Sequence, residues 1–343
     1  MPEVNRQVVL RRRPVGMVTE DCFEVVAAPL PALGPGEALL QVHYVGIDPT
    51  IRGWIDERGN YMAPVAIGEA VRANGVGVVV ATNGPDEYPL GAAFMALTGW
   101  QEYRVLVPNE DPPVTRLPEG MDLTGPLNVG GHIGVTALIG VTEVAKPRAG
   151  ETFVVSAAAS GVGAIAGQIA KILGARVVGI AGSPEKCAWV VDELGFDACI
   201  DYKREDVRAR LKELCPKGVD VFFDNVGGEL LDTVLTRIAR KGRVVLCGDI
   251  STYNLDVAPP PLANHRYLMG RSATMGGFNT LDYWERYFDA ADQLAAWVAE
   301  GRVKHREHVL DGIEQCGPGL VRLFEGDHLG KLVVRLVASG SER

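Results

Sequence analysis

None of the six cysteines, Cys22, Cys187, Cys199, Cys215, Cys247 and Cys316, belongs to a C-x-x-C pair, and none has a histidine close by in sequence. Zinc sites need ligands at short, repeated spacings and oxidised frameworks need denser cysteine, so neither a metal centre nor a disulfide scaffold is expected. Reduced thiols are the expectation. No apolar stretch approaches the length of a bilayer span, and the first residues lack the charged-then-apolar order of a secretory signal. The expected location is the cytoplasm, with no membrane partner. Charge of one sign is not concentrated either: 34 Lys and Arg against 43 Asp and Glu leave a net charge of -9, without long runs of one sign. Apart from the short Arg11-Arg-Arg13, read as solvated, nothing offers a nucleic-acid surface. There is no internal repeat or low-complexity segment.

What is present fits a two-domain, loop-rich α/β protein: 343 residues, 47% of them hydrophobic, with 41 glycines and 21 prolines. Residues 1 to about 125 read as β-rich. Glu37–Tyr44, Gly75–Val80 and Gln101–Val107 alternate or run apolar between Gly/Pro turns, which suggests a small barrel or sandwich. From about Gly134 strands and helices alternate, the pattern of right-handed crossovers and a doubly wound parallel sheet. Strands are predicted at Asp220–Asp224 and Gly242–Gly248, with a helix over Glu229–Arg240 between them. A second helix is predicted over Asp282–Glu300, with Trp284, Phe288, Leu294 and Trp297 at helical spacing. The last strand, Gly330–Leu336, is positioned to return to the first domain.

The most informative segment is Thr152–Gly167. Its apolar run Phe153-Val-Val155 suits a strand covered on both faces, and the small residues from Ala157 to Gly163 let a pyrophosphate approach the N–H groups of the helix that follows. In the G-x-G-x-x-G pattern Ala158 and Ser160 replace the first two glycines and only Gly163 remains, so the fingerprint alone is weak. The helix ends at Gly174, and Arg176–Ala181 reads as the next parallel strand, completing a βαβ unit. At the tip of that second strand an NAD site has Asp or Glu on the ribose 2′-OH, whereas here stand Gly182 and Ser183. Ser183 and Pro184 form an N-cap and N1 pair, which sets Lys186 on the first turn of the next helix. A lysine there is ordinarily unfavourable by ~0.3 to 1 kcal/mol, so its position points to an anionic partner, the 2′-phosphate of NADPH, a solvated surface lysine being the alternative.

Further strings carry a resemblance: Asn5-Arg-Gln7, Asp48-Pro49 with Arg52, Gly99-Trp-Gln-Glu-Tyr103, Lys146-Pro147, Ala149-Gly-Glu151, Gly167-Gln-Ile-Ala-Lys171, Leu194-Gly-Phe-Asp197, Asp201-Tyr-Lys203, Phe223-Asp-Asn-Val-Gly-Gly228, Cys247-Gly248 with Ile250-Ser-Thr-Tyr-Asn254, and Gly330-Lys331. Through them the chain resembles the zinc-independent medium-chain dehydrogenase/reductases of the leukotriene B4 12-hydroxydehydrogenase, prostaglandin reductase and alkenal double-bond reductase group, including curcumin-reductase-like enzymes. The resemblance implies a GroES-like catalytic domain over residues 1–125 and 305–343, and an NADP-binding Rossmann domain over 126–304. It implies that Ser160, Gly161, Val162 and Gly163 lie under the pyrophosphate, that Gly182 and Ser183 border the 2′-phosphate, and that Lys186 and Tyr202 contact it. Asn225, the loop with Cys247, Gly248, Ile250 and Ser251, and Phe278 with Asn279 are implied on the nicotinamide half. For Tyr202 and Asn225 ordinary strand-end polarity is the alternative. The cysteine and Gly-His-Glu of zinc-dependent relatives correspond to Ile47 and Gly68-Glu-Ala70, so no metal is expected.

The implied reaction is NADPH-dependent reduction of the C=C bond of an α,β-unsaturated aldehyde or ketone. Hydride goes to the β-carbon and the enolate is then protonated. By the resemblance, Tyr253 is the candidate donor to the enolate oxygen, a structural bond to the ribose being its alternative. The substrate pocket departs from the family at Thr50, where relatives have tyrosine, and in Gly131–Leu138, where His132 is a newcomer that can donate to a carbonyl or simply pack. His328 replaces an asparagine that relatives use near the cofactor. Trp54, Tyr61 and Tyr283 are candidate replacement walls. A quinone reductase on the same scaffold and a catalytically weak NADPH-binding protein are the alternative functions; a homodimer is the assembly that the resemblance implies.

Overall fold

The computed structural model describes residues 4–57, 62–84, 86–109 and 114–337, in which the chain divides into two compact units, 1–127 with 307–343 and 128–306. Tyr61 lies outside the described residues. No helix among the described residues is long and apolar enough to cross a membrane.

The first unit begins with an antiparallel ribbon of β1 (Val4–Leu10) and β2 (Phe23–Pro29). β3 (Ala38–Gly46) is its central strand, and every residue in it is buried except the half-buried Gln41. At its end Asp48 and Pro49 lead into the short helix α1 (Thr50–Trp54). β4 (Gly75–Thr82), β5 (Ala93–Ala96), β6 (Tyr103–Leu106) and β7 (Thr115–Arg116) follow; β4, β5 and β7 extend the sheet from β3, and β6 also pairs with β3. The core gathers Leu40, Val42, Val45, Ile47, Trp100 and Leu106. Trp54, a candidate pocket wall from sequence, is buried in the same cluster.

In the second unit α2 (His132–Ile139) leads through a π-helical stretch, Gly140–Ala145, to β8 (Thr152–Ser156). The chain continues as α3 (Gly161–Ile172), β9 (Arg176–Ala181), α4 (Pro184–Ala188), β10 (Ala198–Asp201), α5 (Val207–Leu214), β11 (Val219–Asp224), α6 (Gly228–Leu235) and β12 (Ile238–Leu246). α7 (Arg266–Arg271), β13 (Thr274–Gly277) and α8 (Tyr287–Ala299) complete it. All strand pairs are parallel in the order β10-β9-β8-β11-β12-β13. This is the doubly wound order in which the connections reverse direction between β8 and β11, opening a crevice at the carboxyl ends of those strands.

Two sequence-based boundaries shift. The helix expected to reach Arg240 ends at Leu235, because Ile238 already pairs with Val219 and β12 therefore starts four residues before the predicted strand at Gly242. The helix expected from Asp282 begins as a 3₁₀ segment, Thr280–Arg286, broken at Tyr283 (φ -116°, ψ 23°). The buried stripe of α8 is Tyr287, Ala290 and Leu294, which leaves Phe288 on the open face at 50% exposure, and Trp284, before the helix proper, is 40% exposed. The chain then returns to the first unit with β14 (Glu307–Asp311), α9 (Cys316–Glu325) and β15 (Lys331–Arg335), β15 pairing antiparallel with β3.

Candidate functional site

At the carboxyl end of β8 the chain turns on Ala157, held at φ 50°, and Ser160 enters α3 in extended conformation. Ser160 Oγ donates to the Ala157 carbonyl at 2.7 Å instead of capping the helix, and no side chain caps α3. The N–H groups of Gly161, Val162 and Gly163 therefore face outward at the positive end of a twelve-residue dipole. Gly163 is required here: a Cβ would sit 2.3 Å from the Ala157 carbonyl oxygen, which the turn cannot yield.

One strand over, β9 ends in Ala181 and runs into Gly182 and Ser183 without a carboxylate. Ser183 is the N-cap of α4, its Oγ accepting the Lys186 N–H at 3.2 Å, with Pro184 at N1 as expected. Tyr202 follows β10 and is tied to the same turn by its N–H on the Ala181 carbonyl at 3.0 Å. Its half-exposed ring covers Gly182 so closely that a Cβ there would lie 2.9 Å from a ring carbon. Gly182, Ser183 and Tyr202 thus meet at one turn, with Lys186 on the first turn of the helix that Ser183 caps.

The turn beyond Lys186 also carries a correction. Cys187 on α4 and Cys199 on β10 are joined as a disulfide, their Cα atoms 5.2 Å apart, where the sequence led to an expectation of reduced thiols. A separation of 12 residues carries no pairing signal; the adjacency of β9 and β10 brings the two together. Cys22, Cys215 and Cys316 are buried free thiols.

Across the crevice the end of β11 is held by a network that the sequence did not reveal. The carboxylate of Asp224, wholly buried, accepts from Ser156 Oγ at 2.8 Å and from the N–H groups of Val226 and Gly227, each at 3.0 Å. Burial pushes its pKa above the usual carboxylate value and these donors pull it back. Ser156 Oγ in turn accepts the Asn225 N–H at 2.8 Å, and Asn225 Nδ2 donates to the Ser156 carbonyl at 2.8 Å. Asn225 is therefore oriented by β8, with its Oδ1 turned to other uses. The loop after β12 is docked on this one: Cys247 and Gly248 donate to the Asp224 carbonyl, Ile250 to that of Asn225 and Ser251 to that of Val226. The Cys247 thiol is pushed up to about 12 by burial and by the Asp224 carboxylate, so it stays protonated and unreactive at neutral pH. Tyr253, half-buried, accepts the Asp249 N–H on its hydroxyl at 3.4 Å.

Phe278 packs with Phe223 around Gly140, and Asn279 uses its Oδ1 to cap the 3₁₀ segment through the Leu281 N–H at 3.0 Å. His132 is the first residue of α2 and half-buried. Thr50 opens α1 in the other unit, directly after Asp48-Pro49. There the buried Lys331 ammonium pairs with Asp48 at 3.2 Å and donates to the carbonyls of Ile47 and Leu332 at 2.7 and 2.8 Å, fixing the turn that presents Thr50. His328 lies in the turn between α9 and β15.

Comparison with known proteins identifies the family of the chain. Residues 6–113 match the N-terminal domain of oxidoreductase family and residues 161–296 the zinc-binding dehydrogenase family. Although that second description names zinc, no group of three or more His, Cys, Asp or Glu side chains among the described residues is arranged to hold a metal ion. The chain is 35% identical to the NADPH-dependent curcumin reductase of Escherichia coli over 337 residues, covering 97% of each protein. It is 34% identical to the NADP(+)-dependent 2-alkenal reductase of Nicotiana tabacum over 340 residues, 96% of this chain and 97% of the relative. The crystal structure of CurA from Vibrio vulnificus in complex with NADPH superposes with a TM-score of 0.91 at 36% identity, covering 97% of this chain and 99% of that one. The chain belongs to the zinc-independent, curcumin-reductase-like medium-chain dehydrogenase/reductases.

Proposed function

We propose that this protein is a cytoplasmic, NADPH-dependent reductase of the C=C bond in α,β-unsaturated aldehydes and ketones. The observation that carries the reading is the surface at the tip of β9: an uncharged Gly182-Ser183 turn, Lys186 on the first turn of α4, and Tyr202 over Gly182. A carboxylate there would repel a 2′-phosphate; a cation and a phenol attract it. The uncapped N-terminus of α3, from Ser160 to Gly163, fits a pyrophosphate. Asn225, the Cys247–Ser251 loop and Phe278 with Asn279 fit the nicotinamide half. When bound, NADPH supplies the hydride that the β-carbon of the substrate receives.

The chain's own residues have three tasks in this reading. The Ser156–Asp224–Asn225 network holds the floor of the nicotinamide half rigid. Tyr253 donates its phenol proton as a hydrogen bond to the enolate oxygen, directly or through the ribose, stabilising charge that develops only in the transition state. Thr50 at the start of α1 and His132 at the start of α2 are each candidate determinants of which carbonyl compounds are accepted. Water completes the reaction by protonating the α-carbon. Two copies pair in this proposal. β13 ends the six-stranded sheet, and most of its residues are exposed, as is Met269 on α7, at 83%. The test is NADPH consumption with a panel of alkenals, enones and benzoquinones, with the product identified. Saturated carbonyl product from the enones supports the reading, turnover confined to quinones replaces it with a quinone reductase, and tight NADPH binding without turnover on any acceptor replaces it with a binding protein.

A further inference from the structure

We propose that Cys187 and Cys199 are a reversible thiol–disulfide pair that sets the affinity of the 2′-phosphate surface for NADPH. This rests on the placement of the 2′-phosphate at Lys186 and Tyr202 proposed above. The bond joins the two elements that carry those side chains: Cys187 directly follows Lys186 on α4, and Cys199 precedes Tyr202 by three residues at the end of β10.

The start of α4 is exposed and is held from within by the Ser183 cap. α4 is five residues long and none of them is buried. These five residues are the first turn of a helix that runs on without a break into the π-helical stretch Trp189–Glu193, so their contacts with the rest of the unit are few at this end. Buried anchorage of this helix comes one residue later, at Trp189 and Val190 in the π-helical stretch. The disulfide is therefore the covalent tie that keeps the lysine-bearing turn against β10. Both sulfurs belong to half-buried residues that small thiols can reach, whereas Cys22, Cys215 and Cys316 are buried.

The switching chemistry is thiol–disulfide exchange with a low-molecular-weight disulfide. The thiolate of one cysteine attacks a sulfur of the small disulfide and expels one thiol; the second cysteine then attacks the mixed disulfide and expels the other. Two protein thiols lose two electrons and two protons, and the small disulfide leaves as two thiols. Reduction by a dithiol is the reverse. In the oxidised state Lys186 and Tyr202 are pre-organised for the phosphate; in the reduced state the turn must be ordered at the moment of binding. Ordering a long side chain and its turn lowers NADPH affinity about two- to tenfold. NADH, which has no 2′-phosphate, is bound equally by both forms.

The test uses the intact chain equilibrated with glutathione disulfide or with dithiothreitol. Free thiols are counted by alkylation and mass spectrometry, and NADPH and NADH affinities are read by calorimetry. The expected result is loss of the Cys187 and Cys199 thiols on oxidation, tighter NADPH binding in that state, and unchanged NADH binding. Cys187→Ser and Cys199→Ser are expected to bind NADPH as the reduced protein does, whatever the redox condition. A pair that stays reduced, or a bond that forms without altering the NADPH to NADH ratio, overturns the proposal. Lys186→Ala separates the two levels: if it leaves coenzyme preference unchanged, the phosphate placement fails and this proposal with it. If Lys186→Ala changes the preference but redox state does not, only the switch fails.

Discussion

Ser156→Ala tests the buried network that joins β8 to β11. The hydroxyl is fully buried, donates to Asp224 and accepts from the Asn225 N–H, both at 2.8 Å. Alanine fits the same space but leaves one buried N–H without an acceptor and removes one donor from a buried carboxylate. An orphaned buried group costs about 1–3 kcal/mol and a hydrogen bond to a charge about 1.5–3, so the sum is roughly 2–4 kcal/mol after partial relaxation. In a unit of this size that lowers the thermal midpoint of the cofactor-free protein by about 4 °C or more. The penalty is also pH-dependent, with a definite sign. Burial holds the Asp224 pKa above the usual value, and the Ser156 hydroxyl favours the charged form. The carboxylate needs that donor only when ionised. The loss in Ser156→Ala is therefore largest at neutral and alkaline pH and shrinks as acidification protonates Asp224. Scanning calorimetry of both proteins from pH 8 down to the acid limit of folding measures this. A variant with an unchanged midpoint, or a loss that does not vary with pH, refutes the reasoning.

Other outcomes follow from single contacts. Gly163→Ala forces a Cβ to 2.3 Å from the Ala157 carbonyl oxygen; displacing the turn costs about 1–3 kcal/mol and weakens dinucleotide binding, which calorimetric titration reads. Tyr253→Phe, if the phenol acts on the enolate, lowers kcat about 10- to 100-fold while the NADPH Kd changes little; the opposite pattern makes Tyr253 a positioning group. Burial would raise the Asp197 pKa, but Lys171 and the Val177 N–H outweigh it and hold it below the ordinary 3.8. Its stabilising contribution is present above that value and is lost as pH falls through the lower folded-state pKa. Lys171→Met therefore moves the acid-unfolding midpoint to higher pH, as followed by circular dichroism.

The parallel-sheet unit was legible because its signals are local. An unbroken apolar run at Phe153–Val155, small residues up to Gly163 and a Ser183-Pro184 cap each report on a few neighbouring residues, and each forms the element it announces. The features that escaped arise from pairing across the sheet. Ser156 and Asp224 are 68 positions apart and meet only because β8 and β11 are parallel neighbours; Cys187 and Cys199 meet only because β10 lies beside β9. A serine and an aspartate closing two apolar strands were the available clue. Glu229–Arg240 misled because its helical composition continues past Leu235, while pairing of Ile238 with Val219 takes the chain into β12. Trp284 and Phe288 misled because the buried stripe runs through Tyr287, Ala290 and Leu294, and Trp284 belongs to a 3₁₀ segment before the helix. Trp54 reads as a pocket wall by residue type alone, and its place in the packed core of the first unit was invisible to linear spacing.

The central claim is that an uncharged turn and Lys186 at the tip of β9 select the phosphorylated coenzyme. Calorimetric titration of NADPH and NADH into the protein and into a Ser183→Asp/Lys186→Ala variant measures it most directly. A charge-assisted contact is worth about 1.5–3 kcal/mol, so the NADPH to NADH affinity ratio is expected to fall by about tenfold or more in the variant. A ratio that stays the same in the variant contradicts the account.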